Sequence, residues 1–177
     1  MKKFRVLPAM LLLCAALLSG CTQSNIVTPE NGGSVNMNPD METKENVEID
    51  WGEITEALRD EFIEPYGTYA DYVMDLRVEY DDEEDCLLVL LPVTTDTTGE
   101  IAVSYAQDVL RLCGEEIATQ DFSYTAPADD GQGYGSYFDS HDVKVQVFPY
   151  SSEGDESTYY VNDTMKAGEQ RNLVALK

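Results

Sequence analysis

The sequence predicts a two-layer α+β fold: an antiparallel or mixed sheet of four to five strands, with two helices packed on one face. Three observations carry the prediction. Two stretches repeat apolar residues at helical spacing behind capping residues, and shorter stretches alternate or run apolar as strands do. Their order, α-β-β-α-β-β-β, also lacks the strict β-α alternation of a parallel sheet.

The first helix is expected in "DWGEITEALRDEFIEP". Asp50 stands at the N-cap and Glu53, three residues on, is placed to reach back to it as in a capping box. Trp51, Ile54, Leu58 and Phe62 share one face, and Pro65 stops the run. In "VMDLRVEY", Met74, Leu76, Val78 and Tyr80 alternate with Asp75, Arg77 and Glu79, which predicts a strand with one wet face. "CLLVLLPV", Cys86 to Val93, is apolar throughout and reads as a central strand, with the acidic "DDEED" before it as a hairpin turn. Thr97 and Glu100 repeat the capping pattern for a second helix. Its stripe is Ala102, Tyr105, Ala106, Val109, Leu112 and Cys113, and Gly114 is placed to end it in the left-handed conformation. "VKVQVFPY" alternates again, "STYYV" is a short β-rich run, and "RNLVALK" is expected to supply a final strand.

Ahead of this domain the chain has a different character. "MKKFR" carries Lys2, Lys3 and Arg5 and leads into the uncharged "VLPAMLLLCAALLSG", a basic segment and an apolar run too short for a good membrane span of about 20 residues. The run ends in Leu18-Ser19-Gly20-Cys21. This N-terminus resembles a bacterial lipoprotein signal peptide with its lipobox, a resemblance confined to residues 1–21. It implies cleavage before Cys21 and a diacylglyceryl group on the Cys21 thiol. Two acyl chains make a stable anchor where one holds only marginally. The expected organisation is a signal peptide over 1–20, the lipidated cysteine and a flexible tether over 21–46, and one domain over 47–177. The tether, rich in Asn, Gly, Thr, Pro and Glu, has a root-mean-square reach of about 25 to 30 Å. The expected location is the extracytoplasmic face of the cell membrane. In general style the chain resembles the lipoproteins of Gram-positive anaerobes, which bears on origin and not on activity.

Charge narrows the partners. The chain has 34 acidic and 11 basic residues, and Lys2, Lys3 and Arg5 leave with the signal. The processed protein keeps 8 basic residues, a net charge of −26. Such a surface repels nucleic acid and anionic headgroups, so no nucleic-acid partner is expected.

Catalytic patterns are sparse. His141 is the only histidine, and no G-x-S-x-G, H-E-x-x-H or C-x-x-C occurs. After lipidation of Cys21 only Cys86, Cys113 and His141 remain as soft ligands, so neither a zinc site nor any cofactor is expected. The turn Asp81–Asp85 lacks the spacing and fixed glycine of a calcium-binding EF-hand loop. Paired carboxylates for hydrolysis are available in such numbers that they single out no position.

One stretch is shaped for binding: "FSYTAPADDGQGYGSYFDSHD", Phe122 to Asp142. Gly131, Gly133 and Gly135 alternate with polar and aromatic residues. Tyr124, Tyr134, Tyr137 and Phe138 supply either a ring surface for a sugar or peptide or a plug for the open end of the sheet. Cys86 opens the apolar strand and Cys113 closes the helix after it. About 23 Å of strand is matched by about 21 Å of returning helix, so the two cysteines come level and form a candidate disulfide if the Cys86 side chain faces the helix. The alternative is two small buried hydrophobes. The expected function is a non-catalytic, membrane-anchored envelope lipoprotein that binds a protein or cell-wall glycan partner; the alternative is a small carboxylate-dependent envelope hydrolase.

Overall fold

The computed structural model describes residues 44–129 and 131–177, so the expected signal peptide, Cys21 and nearly all of the expected tether lie outside the described residues. The elements are α1 (Trp51–Phe62), β1 (Arg77–Asp81), β2 (Cys86–Val93), α2 (Gly99–Gln120), β3 (Asp142–Pro149) and β4 (Val161–Met165). The four strands form one mixed sheet in the order β1-β2-β3-β4. The outer pairs are antiparallel and the central β2–β3 pair is parallel, joined by the α2 crossover. The fold is α+β, as the element order predicts.

Register puts Leu87, Val143 and Met165 in one cross-strand row, and Leu91, Val147 and Val161 in another. These rows share one core with Ile54 and Leu58 of α1 and with Ala102, Tyr105, Ala106, Val109 and Cys113 of α2. Full burial of a leucine or valine side chain contributes about 1.5–3 kcal/mol, so this layer is the main source of stability. The opposite face of the sheet carries a smaller cluster of Leu90, Phe148 and Tyr159, with the last two rings stacked at 5.0 Å.

Local chemistry explains where the elements begin and end. Asp50 Oδ1 accepts the Glu53 amide at 3.0 Å, but the Asp50 amide is donated to Gln120 Oε1 at 2.8 Å. The far end of α2 thus does what the Glu53 side chain was expected to do. At α2 the cap is Thr98, whose hydroxyl accepts from the Ile101 amide; Thr97 is buried one position earlier. The helix also runs through Gly114 to Gln120. Gly114 is buried, and a Cβ there would lie 1.8 Å from the Tyr134 carbonyl oxygen. The glycine admits a loop onto the helix rather than ending it.

Strand boundaries shift for similar reasons. The amides of Met74 and Asp75 both donate to the Pro92 carbonyl, while Val73 bridges to Val93. Two residues opposite one make a β-bulge. It reverses the alternation, so Met74 is exposed and Val73 packs on the core in its place. The fourth strand starts at Val161, after "STYYV" has contributed a 3-10 turn at Glu156–Thr158. There the Asp155 carboxylate accepts from both the amide and the hydroxyl of Ser157, a local bond that competes with strand pairing. "RNLVALK" is not a strand. It is held by side chains: Arg171 grips Asp163 with two bonds of 2.8 Å, and the Leu173 amide donates to Gln107 Oε1.

The candidate disulfide does not form. Cys86 and Cys113 are free thiols. Cys86 is in register with Asp142 and shares its side of β2 with Leu88, whereas Leu87 faces the helices and Cys113 lies in the core under α2. The sheet separates them. Burial pushes the Cys113 thiol up to about 12 and raises that of Cys86, so both sulfurs are held in the protonated, unreactive form.

Candidate functional site at one end of the sheet

The hairpin end of β1–β2, the start of β3 and the start of α1 meet at one end of the sheet. The capped first turn of α1 places Trp51 there, and the last inward-facing position of β1 places Tyr80. The loop after α2 adds Tyr124, Tyr137 and His141. These five rings, with Val47, Glu48, Ile49 and Asp82, line an open cleft of about 410 Å³. A second hollow of about 350 Å³ shares Tyr80 and His141 and is otherwise lined by Glu84, Asp85, Ser140 and Asp142. The two hollows adjoin at Tyr80 and His141, which line both, and are treated as one groove.

The rings support one another. Trp51 stacks on Tyr80 at 6.2 Å between centroids and meets Tyr137 edge-on at 5.7 Å. Tyr137 is met edge-on by Tyr124 at 5.2 Å, and its other partner, His141, lies parallel to it at 4.0 Å. His141 Nδ1 is 3.0 Å from the Tyr137 carbonyl, an acceptor only, so that nitrogen carries the hydrogen. The Ser140 hydroxyl is also 3.0 Å from Nδ1, yet a nitrogen that donates to a carbonyl is not a base for that serine.

Electrostatically the groove is one-sided. Its lining contains Glu48, Asp82, Glu84, Asp85 and Asp142 and no lysine or arginine. Asp142 is engaged by Lys166 Nζ at 2.6 Å, and that bond holds its carboxyl below the usual range. The Tyr80 hydroxyl donates to Asp85 Oδ1 at 2.7 Å, and this bond is the main reason its phenol is pushed up to about 12. Burial raises Tyr137 and Tyr124 in the same direction. All three tyrosines stay neutral donors at physiological pH.

The residues expected to form a binding loop divide. Tyr124 reaches the groove half-buried, while Tyr137, 3% exposed and part of the core cluster, only floors it and plugs the end of the sheet, the second of the two roles expected for the loop. Tyr134 and Phe138, each 2% exposed, are core residues and not a displayed ring surface. The reason is the contact at Gly114: the loop lies flat on α2, Tyr134 donates its hydroxyl to the Arg171 carbonyl, and its ring turns inward. Gly131, Gly133 and Gly135 all have positive φ and serve the path of the backbone. At Gly133 a Cβ would also strike Gln170 Oε1 at 2.6 Å. Sequence reasoning did not single out Trp51, Tyr80 or His141 as site residues. Their common signal was position, since each stands at an element boundary on the same end of the fold.

A larger cleft of about 570 Å³ lies between the end of α1 and the middle of α2, lined by Tyr66, Tyr69, Asp108 and Arg111 among others. Three of its polar side chains are already engaged: Tyr69 donates to Asp108 Oδ2 at 2.5 Å, and Arg111 donates to the Gly131 carbonyl. Among the described residues no three His, Cys, Asp or Glu side chains converge to hold a metal ion. No helix of the described residues is long and apolar enough to cross a membrane. Comparison with protein families, curated proteins and solved structures finds no significant match, so the geometry alone must indicate the chemistry.

Proposed function

We propose that the protein is a lipid-anchored lipoprotein of the extracytoplasmic membrane face whose domain is a non-catalytic binding module for a protein or cell-wall glycan. The groove of Trp51, Tyr80, Tyr124, Tyr137 and His141 carries the binding half of this reading. Trp51, Tyr80, Tyr124 and His141 are partly exposed over the buried Tyr137, and rings with an apolar body and a polar tip suit recognition of a peptide or sugar. The lipobox at Leu18–Cys21 carries the address.

Of the carboxylates that line the groove, Asp142 is shifted downward by its bond to Lys166, whereas a carboxylic general acid needs the opposite shift. Membrane fractionation of cells expressing the intact chain and its Cys21→Ser variant tests the anchor. The wild type is expected to sediment with membranes and to have a mature mass beginning at a lipidated Cys21, and the variant is expected to lose both properties. A mature N-terminus elsewhere, or an unmodified Cys21, would overturn the anchoring. A binding screen against envelope proteins and cell-wall glycans, repeated with Tyr80→Ala, tests the module.

A further inference from the structure

We infer that the groove is a receptor for cationic side chains of a basic peptide, with one arginine or lysine laid against the Trp51 and Tyr80 rings and a second directed into the hollow of Glu84 and Asp85. The inference rests on the binding reading above and specifies its ligand. Four observations point to this chemistry. Trp51 and Tyr80 line the cleft, and a ring face turned to it offers the negative side of its quadrupole to a cation. Carboxylates rim the same rings with no lysine or arginine in the lining, so a guanidinium finds both a stacking surface and an acceptor for its planar fork. A neutral sugar can donate hydroxyl hydrogen bonds to those carboxylates but does not neutralise their charge, whereas a guanidinium does both. The two hollows joined at Tyr80 and His141 also give the groove length, which suits successive side chains of a peptide better than one small ion. Long-range attraction acts the same way, because a chain with 34 acidic and 11 basic residues draws a basic partner towards it.

Trp51 is the only tryptophan, so its fluorescence reports on the groove directly. The full lipidated chain in neutral detergent is titrated with the peptide Gly-Arg-Gly-Arg-Gly amide and, separately, with a neutral chitin tetrasaccharide. The peptide is expected to change the Trp51 emission and to bind more weakly as salt is raised. Tyr80→Ala is expected to weaken it about tenfold, and Tyr80→Phe, which keeps the ring, to bind nearly as the wild type does. Asp82→Asn with Asp85→Asn is expected to weaken it by a similar factor; asparagine tolerates the positive φ of Asp85. Melting curves confirm that each variant is folded. A control pair at and just beyond the far end of α1, Glu61→Gln with Glu64→Gln, removes the same charge away from the groove and is expected to leave binding within about twofold. Equal losses from the groove pair and the control pair would mean diffuse attraction and overturn the inference. If the tetrasaccharide binds through Tyr80 and the peptide does not, the cation specificity falls while the binding module stands. If neither ligand binds and the screen with Tyr80→Ala finds no partner, both fail.

Discussion

Gly114 shows how much one missing methyl group governs. Its hydrogen faces the Tyr134 carbonyl, and the space for a Cβ is already taken by that oxygen, 1.8 Å away. Gly114→Ala, which in an exposed helix would be stabilising, must here displace the loop that carries Tyr134 and Tyr137. The expected cost is about 2–3 kcal/mol, or more if the rings shift with the backbone. Thermal unfolding should fall by roughly 10 °C, and the Trp51 emission should move with it because Tyr137 packs on Trp51. A melt within about 2 °C of wild type would show that the loop yields freely. From sequence the same glycine reads as a helix stop, since glycine's local uses include the left-handed cap. Its real cause lies twenty positions on, at Tyr134, and no local pattern carries that information.

At the level of elements, α1 guards an edge. β1 is an outer strand with half its backbone groups pointing away from the sheet, the arrangement that invites pairing with another chain. Thr55 answers it: its hydroxyl donates to the Val78 carbonyl at 3.0 Å and accepts the Val78 amide at 3.1 Å, while Arg59 Nε donates to the Leu76 carbonyl. Thr55→Val keeps the shape and removes both bonds. It is expected to cost about 1–3 kcal/mol by chemical denaturation and to promote self-association, which sedimentation would register. Unchanged stability would mean that water replaces the hydroxyl. The apolar face of α1, the continuous apolar run of β2 and the alternation of β3 were legible because each follows from the period of its own element. The bulge at Met74–Asp75, the turn at Asp155 and the side-chain docking of the last residues were not, because each depends on a bond that a regular period does not encode. The groove was half legible for the same reason. Tyr124 and Tyr137 were conspicuous in a long loop, whereas Trp51 and Tyr80 each read as the core side of a helix or strand, and only the packing of α1 beside β1 brings them together.

Over the whole molecule, ionisation sets limits at both ends of the pH scale. Asp121, Asp142 and Asp163 have depressed carboxyl values in the fold, so the unfolded chain takes up protons first as pH falls. Their contribution is present above about pH 4 and is lost as pH drops through the depressed values. Tyr69, Tyr105, Tyr134 and Tyr137 are raised by burial, so the unfolded chain releases its phenolic protons first. Their contribution is present below about pH 10 and is lost as pH rises through the raised values. Melting temperature against pH should therefore show a plateau with an acid and an alkaline limb. Tyrosinate absorbance reaching its full value for all eleven tyrosines at the ordinary pKa, with the fold intact, would contradict the alkaline limb. The central parallel joint has a further consequence, for the time the chain needs to fold. Every β2–β3 pair spans 56 residues, from Cys86 with Asp142 to Val93 with Pro149, while the β1–β2 hairpin closes across a single short turn. Long loops must be closed before their contacts repay the lost freedom, so the hairpin and α1 are expected to form early and the seam between β2 and β3 late. Val145→Ala should then speed unfolding more than it slows refolding, and Val78→Ala should do the reverse; equal effects on the two rates in stopped-flow measurements would show that the halves assemble together.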